Sequence, residues 1–167
     1  LNNIEDNEHL LKEIKSHKTE EPFAVAYDIV NNIAAKYDRF EDFSVEDETM
    51  GVCINISSEN FFVIMSELSD NAFKFSKKGE KVIMSSRIMN EKLIIELKDN
   101  GIGIDESQIS NIAALNQFNR EKNEQQGVGL GLIISKKMIE LHSGSFNIIG
   151  NESEKGTKIT MSFPISQ

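Results

Sequence analysis

The chain has 167 residues, 39% of them apolar and 27% charged, which is the make-up of one globular domain with a short appendage and excludes a disordered or fibrous protein. Its 27 acidic and 18 basic residues leave a formal charge of −9, and the Lys77-Lys78 and Lys136-Lys137 pairs are isolated; this argues against a nucleic-acid partner. Cys53 is the single cysteine, which excludes a disulfide framework and a thiolate metal cluster, and no apolar run is long enough to cross a bilayer. A reducing, cytoplasmic setting is therefore expected, with no membrane contact by this piece, and Cys53 reads as a small buried hydrophobe. Because the chain opens on Leu1, it is expected to be part of a longer protein.

Residues 1–20 are mostly polar, with Ile4, Leu11 and Ile14 spaced at three to seven, as at the end of a helix that packs on another element or in a fraying appendage. Pro22 opens a predicted helix to about Lys36, with Phe23, Ala26, Ile29, Val30 and Ile33 on one stripe. The acidic stretch from Glu41 to Glu48 reads as a loop, and Met50 to Ile56 alternates like a strand. Ser57-Ser58-Glu59 caps a helix that should run to about Ser76 and close at Gly79. Residues 81–89 and 92–98 form a predicted hairpin turning at Asn90-Glu91, with Leu93, Ile95 and Leu97 on one face.

After Asp99 a glycine-rich turn leads to a short helix from about Glu106 to Leu115. The polar stretch QFNREKNEQQG has no apolar period and reads as a mobile loop. GVGLGLIISKKMIELHSG is a turn entering a helix that Gly144 ends, and strands over 145–150 and 156–163 complete the chain. Strands joined as hairpins, with helices gathered on one side, predict a two-layer α/β sandwich with a mixed, mostly antiparallel sheet.

Three constellations carry chemistry. On the helix from Glu59, Phe61, Met65, Leu68, Ala72 and Phe75 make the apolar stripe, while Glu67, Asn71 and Lys74 make a second one beside it. An amide oxygen at Asn71 can ligate Mg²⁺, the Lys74 ammonium can meet a phosphate oxygen, and Glu67 can orient or deprotonate an attacking group. A solvated surface helix would carry the same pattern. In Asp99-Asn100-Gly101-Ile102-Gly103-Ile104, directly after a strand, the glycines permit close approach to a flat ligand, and Asp99 can accept a hydrogen bond from an exocyclic amine. A plain sheet-to-helix connection is the alternative.

The glycines of Gly127-Val128-Gly129-Leu130-Gly131-Leu132 free backbone N–H groups at a helix start, an anion site without a basic side chain. Close helix packing explains one such glycine, but not three. The spacing lacks the third glycine of a Rossmann fingerprint, and no Walker GK[ST] follows. Gly156-Thr157 before the last strand admits close approach and a hydroxyl for a neighbouring carboxylate. His9, His17 and His142 have no ligand spacing and read as surface or packing residues.

Taken in order, ELSDNAFKFS, DNGIGI, NQF, GVGLGL and GT closely resemble the five signature boxes of histidine-kinase catalytic domains, over roughly Met50 to Pro164. That family belongs to an ATPase superfamily with the type II topoisomerases, the Hsp90 chaperones and MutL. The resemblance implies the Bergerat-type ATP-binding fold, with ATP and Mg²⁺ as cofactors. Asn71 matches the Mg²⁺ ligand, Lys74 the basic residue near the phosphates, and Asp99 the reader of the adenine amine, with Gly101, Gly103 and Ile104 behind it. Phe118 matches the lid aromatic, and Arg120 or Lys122 would reach phosphates when the lid closes. Gly127, Gly129 and Gly131, with Val128, Leu130 and Leu132 between and beside them, match the lid hinge and phosphate turn. Thr157 matches the residue supporting Asp99, Phe75 a position often aromatic or His, and Glu67 a position held by Asn or Glu.

The family's substrate histidine precedes a Glu and, further on, a Pro on a separate dimerising hairpin; neither His9 nor His17 has that context. Residues 1–20 are thus expected to be the tail of that hairpin and its linker, and 21–167 the catalytic domain. The implied partners are the protein's own phosphoacceptor domain, a second copy in a homodimer, and a response regulator. Two alternatives stay open: an ATP-hydrolysing relative using Glu67 on water, and an anti-sigma-like protein-serine kinase.

Overall fold

The computed structural model describes residues 17–46, 48–114, 130–150 and 155–166. A two-residue strand β1 (Thr19–Glu20) leads into helix α1 (Pro22–Lys36), with proline in its first turn where a missing N–H costs nothing. Phe23, Ala26, Ile29, Val30 and Ala34 form its buried stripe, with Ile33 only partly covered.

The acidic stretch is not a loop. It holds a 3-10 turn (Phe40–Asp42) and strand β2 (Phe43–Val45), which pairs in parallel with β4 (Val82–Met89) in the register Phe43↔Val82 and Val45↔Met84. Asp42 is no solvated acid: it is buried, and accepts hydrogen bonds from Arg39 Nε at 2.6 Å and Gly79 N–H at 3.0 Å. Strand β3 is shorter than expected, Cys53–Ile54, because only these residues find a partner in β1. Buried Thr19 ties this corner down by donating to Ile56 O at 2.7 Å.

Helix α2 (Ser58–Lys74) starts as expected, with Ser57 Oγ accepting the Asn60 N–H at 3.1 Å. It stops two residues early. Phe75 caps it, and Gly79 (φ 93°) belongs to the following turn rather than to the helix end. Phe75 therefore leaves the apolar stripe and stands 42% exposed, whereas Phe73 is buried.

The hairpin of β4 and β5 (Lys92–Asp99) turns at Asn90 and Glu91, both left-handed (φ 50° and 57°), which matches the twist of the strands it joins. After α3 (Glu106–Ala114) and α4 (Leu130–Leu141), β6 (Ser145–Gly150) and β7 (Thr157–Pro164) complete a sheet ordered β2-β4-β5-β7-β6. All its pairs except β2–β4 are antiparallel, and the helices pack on one face, as in the Bergerat ATP-binding fold.

The core lies between α2 and the sheet. Phe61 meets Phe163 edge-on, ring centres 5.5 Å apart, beside Met65, Leu68, Leu93, Ile95 and Leu97. The opposite sheet face mixes polar residues with Ile83, Ile94 and Ile149, and on it Glu96 is held by Arg87 at 3.1 Å and Lys158 at 3.0 Å. Among the histidines, His142 is buried and packs its ring nitrogens near Asn55 O and Asn60, as read from sequence.

Candidate functional site

Alternation along β5 decides where Asp99 points. Leu93, Ile95 and Leu97 face the helices, and Asp99 falls in phase with them at the strand's end. Its carboxylate therefore sits where the core opens, only 7% exposed, above Leu97, Ile148 and Ile159. Gly101 N–H donates to Oδ1 at 2.9 Å, and the backbone of Thr157, its cross-strand partner, donates as well. Burial pushes this carboxyl above its usual range against the pull of those two hydrogen bonds; the nearby charges of Glu80 and Arg39 push and pull more weakly. What results is an acceptor-only group in apolar surroundings, ready for one more donor.

The turn after Asp99 is built by close approach. A Cβ on Gly101 would lie 2.2 Å from Phe75 O, so only glycine lets the turn close on the end of α2, where Ile102 N–H donates to Phe75 O at 3.0 Å. Gly156 (φ 133°) does the same from the other side: a Cβ there would stand 1.9 Å from Asp99 O. These two contacts bring α2, the β5 end and the β6–β7 turn to one place.

Between them lies a cleft of about 200 Å³. Asn71, Lys74 and Phe75 form its α2 wall, Asp99 and Thr157 its sheet side, and Gly103, Ile104 and Leu132 its remaining margin. Phe75 and Ile102, 42% and 70% exposed, offer apolar surface at the rim. The Lys74 ammonium lies 5.3 Å from the centre of the Phe75 ring.

Not every expected residue lines the cleft. Gly101 lies beneath it in the docked turn. Glu67 is not among the lining residues, and its carboxylate packs against the start of α4, where a Cβ on Gly131 would come 2.0 Å from its Oε2. Gly131 thus has a packing reason, room for the Glu67 carboxylate, and Leu130 beside it is 52% exposed. Phe118, Arg120, Lys122, Gly127, Val128 and Gly129 lie outside the described residues.

Sequence reasoning missed the floor. Leu68, Ala72 and Leu97 were legible as positions on apolar faces, and Ile148 and Ile159 lay in expected strands, but periodicity does not say where a core ends in a cavity. Gln108 on α3, also lining the cleft, gave no signal. Among the described residues no group of three or more His, Cys, Asp or Glu could cage a metal. The donor on the cleft wall is the Asn71 carboxamide, a hard oxygen suited to a Mg²⁺ ion that takes its other ligands from phosphate and water.

Residues 56–167 match the family model of histidine kinase-, DNA gyrase B- and HSP90-like ATPases. The chain belongs to this family. Within it, the likeness is to histidine-kinase catalytic, ATP-binding domains. Sensor protein RprX of Bacteroides fragilis is 29% identical over 144 residues, 82% of this chain and 27% of that protein. The signal transduction histidine-protein kinase ArlS of Staphylococcus aureus is 39% identical over 98 residues, 56% of this chain and 21% of that protein. The chain therefore spans about a quarter of the length of these relatives.

Among solved structures, the mycobacterial sensor histidine kinase MprB superposes with a TM-score of 0.70 at 19% identity, covering 89% of this chain and 98% of that one. The catalytic domain of histidine kinase ThkA, nucleotide-free, gives 0.67 at 21% identity, covering 88% and 93%. Full-length ShkA in complex with AMPPNP gives 0.66 at 16%, covering 86% and 30%. These superpositions show the fold. The family match begins just before α2, so α1, Arg39 and β2 lie upstream of it.

Proposed function

We propose that this domain binds Mg²⁺–ATP and transfers its terminal phosphoryl group to a histidine on a separate dimerisation domain, for relay to a response regulator. The observation that carries this reading is the single cleft shared by Asp99, Asn71 and Lys74. A buried carboxylate at one end and an amide and an ammonium on the helical wall suit a purine with a phosphate tail. That full-length ShkA was solved with AMPPNP on the same fold supports the ligand class.

In this reading Asp99 accepts from the adenine amine, held for that task by the Gly101 and Thr157 N–H groups. The apolar floor and the Phe75–Ile102 rim exclude water from the base. Asn71 would hold the Mg²⁺ ion, which would supply charge neutralisation at the phosphate oxygens. Lys74 meets a phosphate oxygen as a point charge. The protein's contribution is positioning and electrostatics, and the nucleophilic imidazole arrives from another domain, so docking gates the reaction. The full-length protein would be a homodimer, with this domain on the cytoplasmic side where ATP is available.

Calorimetric titration with Mg²⁺–ATP and Mg²⁺–ADP tests the reading. The unmodified domain should bind both, and Asn71→Ala should lose most of the Mg²⁺-dependent part of the affinity. Failure of the unmodified domain to bind would end the proposal, and undiminished Mg²⁺ dependence in Asn71→Ala would remove the metal assignment.

A further inference from the structure

Arg39 is a charged side chain that the site does not touch, and it is 5% exposed. Its guanidinium spends its donors widely: Nε to Asp42 Oδ2 at 2.6 Å, Nη1 to Phe73 O and Ser76 O at 2.9 Å and Ser76 Oγ at 3.0 Å, and Nη2 to Glu80 O at 2.8 Å. Its central carbon lies 5.1 Å from the centre of the Phe73 ring. The carbonyls of a last helical turn have no partner within the helix, and a cation there also suits the helix dipole. Asp42 completes the clamp by accepting the Gly79 N–H at 3.0 Å.

The clamped points bracket the seat of the nucleotide loop. Phe75 O, between Phe73 and Ser76, accepts the Ile102 N–H at 3.0 Å; Lys81 O, next to Glu80, accepts the Asn100 N–H at 3.0 Å. Residues 73–81 are therefore fixed from below by one guanidinium while they carry the Asp99–Gly103 turn above. A buried ion pair is by itself weak evidence for stability, so this arrangement calls for another use.

We propose that Arg39 is a positioning residue for nucleotide recognition, holding the α2–β4 connection so that the Asp99–Gly103 turn presents its carboxylate in the purine-reading position. This rests on the reading of the cleft as an ATP site, and it extends that site to a residue upstream of the family match. Lysine is no substitute, because a single ammonium cannot reach Asp42, the carbonyls of Phe73 and Ser76, and Glu80 O at once.

The test compares the unmodified domain with Arg39→Lys and Arg39→Met in two measurements: affinity for ATP against inosine triphosphate, which lacks the amine, and amide hydrogen exchange without nucleotide. Both variants should bind ATP about tenfold or more weakly, the scale of a lost charged hydrogen bond, with a reduced preference for ATP over inosine triphosphate. Exchange at Asn100 and Ile102 should quicken while Ile95, in the middle of β5, stays protected. If Arg39→Met does not fold, Arg39→Lys decides by the same readouts. Unchanged nucleotide preference and unchanged exchange at Asn100 and Ile102 would overturn the proposal, as would equal quickening at Ile95, the mark of a merely structural role. If the unmodified domain binds no ATP, the functional reading fails, and the exchange data still decide whether Arg39 holds the turn.

Discussion

Asp99→Asn gives the sharpest test of the cleft. The carboxylate already accepts the N–H of Gly101 at 2.9 Å and that of Thr157, and the adenine amine would be a third donor converging on it. A carboxylate has acceptor sites for all three, whereas asparagine offers one oxygen and an NH₂ that must face a donor. Losing one hydrogen bond to a charged group costs about 1.5–3 kcal/mol, or roughly 10- to 150-fold in the dissociation constant. Displacement of a fluorescent nucleotide by ATP and by inosine triphosphate reads both the loss and the collapse of the preference between them.

The same substitution has a pH signature. Burial raises the folded-state pKa of Asp99 above its unfolded value, so the folded protein holds this proton more tightly. The stability Asp99 contributes is fully present below the ordinary carboxylate range and is lost as pH rises through the raised value. Asparagine has nothing to lose there. Urea unfolding at several pH values should therefore show the variant gaining on the unmodified protein as pH climbs. Nucleotide affinity runs the other way: it needs the ionised carboxylate and should fall, on acidification, above the usual carboxylate range. An Asn variant with unmodified affinity, unmodified nucleotide preference and a constant stability gap would refute the assignment.

Two further outcomes follow from contacts at the margin of the cleft. Gly101→Ala forces a methyl group against Phe75 O, a backbone atom that cannot swing aside, so thermal melts should show a loss of about 1–3 kcal/mol, and titration a weaker nucleotide. If both stay unchanged, the docking of the turn on α2 is not as described. Glu67→Gln should leave any phosphate release by the isolated domain within about twofold, whereas a fall of about a hundredfold or more would mark Glu67 as a general base acting on water.

Much of the fold was legible because it rests on local physics. Pro22 at a helix start, Ser57 as a cap, the left-handed pair Asn90-Glu91, and the alternation of Leu93, Ile95 and Leu97 all act within a few residues. The candidate site was legible for a related reason: Asn71 and Asp99 stand beside signals of helix face and strand end. Where reading failed, the partner was remote. Glu41 to Glu48 looked like a solvated acidic loop because its count of charges hides Arg39, which buries Asp42, and Val82, which pairs with Phe43. Phe75 looked like core because periodicity does not mark the residue at which a helix stops.

The sequence by itself determined the kinds of element, their order, and the polar residues available for chemistry, since these depend on spacing along the chain. Only the tertiary structure decided that Asp99 looks into a cleft floored by Leu68 and Ile159, that Glu67 turns to Gly131, and that Arg39 underpins the turn from about sixty residues away. The physical reason is that close approach of backbones, burial of a charge and enclosure of a cavity are set by atoms that meet only when distant segments pack, and no local pattern records which atoms those will be.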